Sequence, residues 1–411
     1  FTPYSIFGVG QMYTPGSAYN KSMGGVGTAS RNRKYINMMN PASVTARDTL
    51  SFMADVSIVQ NNSVFRQGDM KSANNIFNVN DLALSFPLYK SSAMMFGLTP
   101  YSTTGYSYAS LYDNPDLLGN AGSVAYSAAG QGSLYQVFGA AGVTFWKRLS
   151  LGAEFIHYFG YIEKSSNVTF ASSNYSGISS GYNLTLRGNA ARFGIQYEQP
   201  IGTNYVLGIG ATYKTGSKLT GFVEDYVISS GAAQVDSIRH RIDTLGMGID
   251  KVGLASEFSV GVSLRFAEKW RAEIDYTRSD WTNTGIDATT GFAVSGASKF
   301  TATNSESIRA GFEIIPNAND IRYYYRRIAY RAGAYYDKSH FLLDGNAVNA
   351  YGITFGATLP LSRTRTNTGI TLSADFGRRA SLAGNLIRET YCNFTVGFNI
   401  HDYWFHKYRY E

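Results

Sequence analysis

Alternating apolar and polar residues run through most of the chain and predict β-strands. In residues 351–359, 370–377 and 391–400, every second side chain is apolar, and the residues between are small or polar. Successive side chains of a strand point to opposite faces, so each segment has one apolar and one polar face. The same alternation begins at Leu50 and recurs along the chain, which predicts about fourteen strands.

The connections between the predicted strands separate into short and long ones. The short ones are residues 88–92, 146–149, 198–204, 267–269, 316–321 and 360–367. The long ones are residues 60–80, 104–132, 162–184, 215–256, 280–304, 338–349 and 378–389. A soluble sandwich has no reason to separate its connections so regularly. Bacterial outer-membrane barrels have short periplasmic turns, long extracellular loops and an even number of strands. We therefore predict an all-β, membrane-spanning, antiparallel up-and-down β-barrel with both termini on the periplasmic side of the outer membrane.

Composition supports this class and excludes two others. Charged residues are 16% of the 411 residues, against about 25% in a typical soluble domain. No stretch approaches the roughly 20 apolar residues of a membrane helix, which excludes a helical membrane protein. The net charge is +7, but Lys and Arg are scattered singly and form no stripe, so we expect no nucleic-acid partner. A mildly basic surface instead favours outer-membrane lipid and lipopolysaccharide as partners.

Charged residues on the predicted strands lie out of phase with the apolar set. A charge that faced lipid at mid-membrane would cost about 2–4 kcal/mol, so we place these side chains on the inner wall. One interpretation is an ion-paired wall around a plugged lumen, and the other is that some of them bind an anionic head group. The residues are Arg192, Lys214, Arg265, Arg271, Glu273, Asp275, Arg309, Glu313, Arg331 and Asp375.

Aromatic residues near the ends of the predicted strands indicate the girdle that such rings form at a membrane interface. They are Trp146, Tyr158, Tyr161, Trp270, Trp281, Tyr323, Tyr324, Tyr325, Tyr403 and Trp404.

Residues 1–48 do not alternate and are rich in Gly, Ser, Asn and Met. Disordered tails are typically charged and polar, whereas this glycine-rich stretch is apolar. We therefore expect it to pack inside or against another part of the protein. We predict a hatch at 1–48, a barrel at 49–400 and a periplasmic tail at 401–411, and we expect a signal peptide before Phe1.

The single cysteine, Cys392, is on an apolar face and is expected to be inert.

Two short motifs precede the first predicted strand. They are Met23, Gly24, Gly25, Val26 and Gly27, followed by Asn40, Pro41 and Ala42. Joined to a barrel of about fourteen strands, these motifs resemble the long-chain fatty acid transporter family, the FadL-like channels. That family has a similar Met-Gly-Gly-Ala-Gly run and an Asn-Pro-Ala near the end of its plug. The run at 4–10 and the end of the chain are similar to a divergent branch found in Bacteroidota.

The resemblance implies a hatch folded inside the barrel and hydrophobic ligands that leave the lumen sideways through a kinked third strand. Here the third strand is 92–104, and Gly97 and Pro100 mark the candidate lateral opening, because proline removes a ladder hydrogen bond. The alternative is that Pro100 only ends the membrane part of the strand. No basic residue of this chain aligns with the head-group site of that family, so its substrate does not transfer.

Three functions remain as hypotheses. The first is passive uptake of a hydrophobic or amphipathic small molecule through a cavity near Met38 and Met39. The second is an accessory or structural barrel in a larger outer-membrane complex for protein secretion or assembly, suggested by the long connections and the basic, aromatic tail at 401–411. The third is an enzyme, which we do not expect, since none of the five His lies in a nucleophile motif. We also predict no cofactor and no metal site.

Overall fold

The computed structural model describes residues 2–48, 50–113, 122–172, 174–229, 236–242, 251–289, 291–292, 299–361, 368–382, 384 and 386–403. Helices in these ranges are short: α1 (Ala18–Lys21) and 3-10 turns at Pro3–Ile6, Pro41–Thr45 and Tyr324–Arg326. None of the helices in the described ranges has the length and apolar character needed to cross a membrane.

Strands account for most of the described chain. In order they are β1 (Gln11–Met12), β2 (Ser51–Gln67), β3 (Met70–Tyr89), β4 (Ser92–Tyr112), β5 (Val124–Phe145), β6 (Leu149–Phe170), β7 (Ile178–Ile201), β8 (Tyr205–Lys214), β9 (Ser217–Ser229), β10 (Asp236–Ile242), β11 (Gly253–Leu254), β12 (Ser256–Phe266), β13 (Trp270–Asp280), β14 (Phe300–Ala302), β15 (Ser305–Ile314), β16 (Ala329–Lys338), β17 (Phe341–Leu343), β18 (Asn346–Ala347), β19 (Ala350–Pro360), β20 (Gly369–Arg379) and β21 (Arg388–Tyr403).

Fourteen of these strands form a closed antiparallel barrel, as predicted. They are β2–β8, β12, β13, β15, β16 and β19–β21, and β21 pairs with β2 to close the sheet. Strand β7 has two partners along its length. Residues 192–201 pair with β8, and residues 178–188, nearer the long-loop end, pair with β9. The strands β14, β17 and β18 form a separate small sheet from two long connections.

The outward face is apolar, in the phase that the alternation predicted. On β19, Tyr351, Ile353 and Phe355 are about half exposed, while Thr354 between them is buried. Trp146, at a short turn, is 83% exposed, as an interfacial ring should be. Two residues assigned to the girdle are instead buried on the inner side: Tyr158 packs on Tyr101, and Trp281 packs on His340.

Several predicted long loops are largely strand, which corrects the sequence analysis. The predicted loop at 60–80 is a hairpin that turns between β2 and β3, and β4–β7 extend far into the predicted loops at 104–132 and 162–184. On β7, the cause is that the apolar residues change from the outward to the inward face along the strand. On β7, Phe193 and Ile195 point outward, whereas Leu184 and Leu186, of the opposite parity, are fully buried. In that part of β7, the exposed face carries Thr185 and Arg187, and the buried face belongs to the hydrophobic core.

The last barrel strand also extends past the predicted boundary. Strand β21 ends at Tyr403, three residues beyond 400, and pairs there with Ser51 of β2. Trp404 and the rest of the predicted tail lie outside the described residues. The boundary was placed too early because His401 and Asp402 break the apolar pattern, although His401 faces inward and is fully buried.

The phase reversal predicts different costs for two truncations on the same strand. Leu186→Ala removes a fully buried side chain and should lower the free energy of unfolding by about 2–5 kcal/mol. Ile195→Ala, the control, shortens a side chain at the lipid face and should cost clearly less. Urea unfolding of both variants in detergent micelles measures the difference. Equal losses would mean that the inner face above the membrane is not a packed core.

Candidate functional site

The N-terminal segment, residues 2–48, packs against the inner face of the barrel. Inward-facing glycines of the wall allow the segment to approach the strand backbone more closely than a side chain at those positions would permit. A Cβ at Gly210 would lie 2.1 Å from the carbonyl oxygen of Thr28, and a Cβ at Gly194 would lie 2.0 Å from Oδ1 of Asn40. Similar approaches occur at Gly142, Gly152, Gly311, Gly333, Gly356 and Gly397. The segment is therefore contacted by strands on all sides of the sheet.

The Met-Gly-Gly-Val-Gly run meets the wall through its main chain. The amide N–H groups of Gly27 and Thr28 donate to Oδ2 of Asp275 at 2.8 and 2.9 Å. Gly24 has a φ of 74°, which favours glycine, and its N–H donates to Oγ1 of Thr354 at 2.8 Å. The side chain of Met23 is buried in a small cluster of the N-terminal segment. The motif thus holds an irregular turn whose polar groups have partners on the wall.

The Asn-Pro-Ala motif is a second anchor. Asn40 accepts from the N–H of Ala42 at 3.0 Å and caps the 3-10 turn that starts at Pro41. Its amide also donates to the carbonyl oxygen of Thr28 at 2.8 Å and to that of Ile195 on β7 at 3.3 Å. Asn40 therefore connects the segment to itself and to the barrel.

The predicted wall charges all lie on the described inner face, and most form ion pairs with neighbouring strands. Their pairs are Arg192 with Glu154 (3.2 Å), Lys214 with Glu257 (3.2 Å), Arg265 with Glu198 (3.7 Å), Arg309 with Asp337 (2.7 Å) and Arg331 with Glu313 (2.7 Å). The remaining four contact other groups, and Asp275 among them accepts the N–H groups of Gly27 and Thr28 described above. Arg271 donates to Ser30 Oγ at 2.7 Å, Glu273 accepts from the N–H of Ala29, and Asp375 accepts from the hydroxyl of Tyr335.

Arg331 is the most enclosed of these groups. Its side chain is fully buried, its Nε donates to Glu313, and its guanidinium lies over the rings of Tyr19 and Tyr35 at 4.6 and 4.9 Å. Those two rings stack on each other. The buried cation is thus shared between a wall carboxylate and two aromatic rings of the N-terminal segment.

The sequence analysis did not identify which acidic residues pair with these cations. Three of the pairs could have been found from the pairing of neighbouring strands, because in each the acidic residue lies directly opposite its cation. Glu154 lies directly opposite Arg192, Glu257 opposite Lys214, and Glu313 opposite Arg331. It also missed Lys21 of α1, which hydrogen-bonds Asn80 beside the buried Asp81. Burial lowers the pKa of Lys21 to about 8, and the charge of Asp81 partly opposes that shift.

Two cavities inside the barrel have linings of mixed polar and apolar character. A cavity of about 280 Å³ is lined by Met38, Met39 and Phe138, and also by the ion pairs of Arg192 and Lys214. A second, of about 150 Å³, lies between the N-terminal segment and β2, β20 and β21 and is lined mainly by polar and charged groups. Among the described residues, no group of three or more His, Cys, Asp or Glu is arranged to hold a metal ion.

The wall has an interruption between β3 and β4. The described pairing between these strands extends from the turn that joins them to Leu82, which lies opposite Leu98. Beyond that point, the described pairing on this edge of β4 comes from the N-terminal segment, where Gln11 and Met12 of β1 lie opposite Thr103 and Ser102. Gly97 lies just before the interruption, and a bulge between Pro100 and Ser102 shifts the register of β4 against β5.

The long-loop end of the barrel is covered by its connections. Phe7 of the N-terminal segment stacks on Phe300 of β14 at 5.2 Å and packs on Phe341 of β17. The Nζ of Lys164 on β6 is buried and donates to the carbonyl oxygens of Gly8 and Gly291. We call the long connections that contain β14, β17 and β18 the cap, and the cap and the N-terminal segment share one hydrophobic core.

A closed barrel of fourteen strands with an apolar outer face and this internal arrangement has the fold of the FadL-like outer-membrane barrels. A protein-family model, BamG, matches residues 1–411. The chain therefore belongs to the BamG family.

Solved structures share the fold across nearly their whole length. The CymD monoaromatic hydrocarbon channel has a TM-score of 0.60 and 13% identity, covering 99% of this chain and 100% of that one. A Pseudomonas aeruginosa FadL homologue has a TM-score of 0.61 and 11% identity, with 96% and 99% covered. The P. putida toluene transporter TodX has a TM-score of 0.60 and 15% identity, with 95% and 99% covered. A search of curated proteins gave no match.

Breaking the Arg331–Glu313 pair should be costly. Arg331→Met or Glu313→Leu alone leaves one buried charge without its partner and should lower the free energy of unfolding by about 3–5 kcal/mol. The double variant should lose less than the two single losses combined. As a control, Glu306→Gln at the exposed Lys338 pair should cost less than about 1 kcal/mol. Denaturant titration in micelles checks all four variants, and additive losses would contradict the coupling.

Proposed function

We propose that this barrel is an accessory or structural subunit of a larger outer-membrane complex for protein secretion or assembly, and that its lumen is not a conduit. The observation that carries the proposal is the fixation of the N-terminal segment. Asp275 and Glu273 accept its main-chain N–H groups, Arg309 donates to the carbonyl oxygen of Gly24, and Arg271 donates to Tyr19 and Ser30. Opening a passage along the axis would break many of these bonds together.

The chemistry of the cavity supports the same proposal. Small-molecule sites are mostly apolar spaces of about 300–1,000 Å³ with a few polar groups. Here, the cavity near Met38 and Met39 also contains the ion pairs of Arg192 and Lys214. A hydrocarbon placed there would displace water from charged groups without replacing its hydrogen bonds, which opposes binding.

The outer part of the barrel offers surface to a partner. A transmembrane strand needs about 9–11 residues, whereas β5 and β6 have 22 residues each and β7 has 24. The extra length forms a wall beyond the lipid on one side of the barrel. The name of the matching family, BamG, is in keeping with a protein that has outer-membrane partners.

A second candidate is the passive channel for hydrophobic or amphipathic small molecules, and one observation favours it. The interruption between β3 and β4, next to Gly97 and Pro100, is where a ligand could leave sideways. The similar structures include a hydrocarbon channel and a toluene transporter. In this candidate, Gln11 and Met12 would have to leave the edge of β4.

A disulfide across that contact separates the two candidates. Met12→Cys with Ser102→Cys, in a Cys392→Ser background, joins residues directly opposite each other. Such pairs have Cα atoms about 4.5–5.5 Å apart, within disulfide range. We expect the oxidised and reduced forms to show the same uptake of labelled oleate and toluene by cells. Uptake that stops on oxidation and returns with reductant would establish the channel instead. Gln67→Cys with Met70→Cys, across the β2–β3 hairpin, is the control.

The accessory role predicts stable partners. Purification from native membranes in mild detergent, without crosslinking, should yield the barrel with the same outer-membrane proteins at constant stoichiometry. A matched preparation of an unrelated barrel from the same membranes identifies contaminants. A protein that elutes only as a monomer at low detergent and low salt would contradict the role.

A further inference from the structure

Four basic residues lie together on the outer face at the long-loop end of β2, β3, β20 and β21. Arg66 is directly opposite Arg388 on one neighbouring strand and Lys71 on the other. Arg378 lies one step nearer the apolar band, opposite Thr390. Arg66 and Arg378 share the phase of the outward-facing Val64 and Phe376. We call these four residues the basic row.

The basic row has no acidic partner among the described residues. None of the ion pairs there includes any of the four. Glu389, beside Arg388 in sequence, faces inward and pairs with Arg379 at 3.0 Å. The Nε of Arg388 is buried without a hydrogen-bond partner in the described part of the chain. Like charges directly opposite each other destabilise a sheet, so this arrangement favours an anion between them.

A groove on the outer face continues from the basic row toward the apolar band. Its volume is about 980 Å³, and Arg378 and Thr390 line it at the end near the row. Val64, Ile353 and Phe376 supply apolar walls, and Asn62 and Asn75 also line the groove. Arg378 joins the basic row to a groove whose exposed lining is mainly apolar. This arrangement matches a molecule with an anionic head and a hydrocarbon chain.

We infer that this surface binds a phosphorylated lipid, with its phosphate on the basic row and an acyl chain in the groove. Arginine binds phosphate through paired N–H donors in a geometry that fits the anion. The groove adds the apolar contact that a free anion lacks. The site lies on the outer wall and is independent of the lumen and of the proposed accessory function.

The test measures binding of lipid A by native mass spectrometry of the purified barrel in detergent. Two ligands with identical acyl chains are compared, bisphosphorylated lipid A and its dephosphorylated form. The variant R66Q/R388Q should bind phosphorylated lipid A about tenfold more weakly than the wild type. K147Q/R148Q removes the same charge at an exposed short turn and should bind normally. An unchanged heat shift on gels shows that each variant is folded.

A second variant tests the groove without changing charge. Cys392→Trp fills it from β21 and should weaken binding of lipid A while leaving competition by inorganic phosphate unchanged. Equal binding of lipid A by the wild type and R66Q/R388Q would overturn the inference. So would equal binding of the phosphorylated and dephosphorylated forms. If inorganic phosphate binds as tightly as lipid A, the row is a site for a free anion and the lipid assignment is wrong.

Discussion

Hydrogen bonding of the backbone inside the closed sheet is the constraint on which the rest of the structure depends. The N-terminal segment has few helical turns and one two-residue strand, so most of its N–H and C=O groups cannot pair within regular structure. A buried N–H without a partner costs as much as a lost hydrogen bond. The wall supplies the partners through Asp275, Glu273 and Thr354. Several of the inner charges, Asp275, Glu273, Arg271 and Arg309, are thus explained by the segment that they hold.

The same constraint explains the glycines of the wall. A main chain that must be within hydrogen-bond distance of a strand cannot be separated from it by side chains. Gly210 and Gly333 therefore lie where Thr28 and Gly24 approach. Where side chains of the segment face the wall, ion pairs of the wall contact them. The Arg331–Glu313 pair, for example, lies against the ring of Tyr19. The cavity near Met38 and Met39 therefore has charged groups beside its apolar side chains.

Each long strand passes through two environments, and this limits what alternation can predict. In lipid the apolar residues face outward, as Phe193 and Ile195 do. Beyond lipid the outer face meets water and the inner face meets the cap, so Leu184 and Leu186 point inward. When the apolar residues change from one face to the other along a strand, the alternation is interrupted. In the sequence, this interruption resembles the end of a strand followed by a loop. The strand number was therefore predicted correctly, while the lengths of β4–β7 were underestimated.

The sequence by itself determined the class of protein. Alternating apolar and polar residues in many segments, joined by connections that alternate in length, predict a membrane-spanning β-barrel. It also placed the charges on the inner wall, since parity assigns a face. Only the tertiary structure decided which carboxylate meets which cation, because register and the path of the N-terminal segment depend on contacts between residues far apart in sequence. Glu154 with Arg192 and Arg66 with Arg388 are such contacts. The first neutralises the inner wall, and the second concentrates charge outside it.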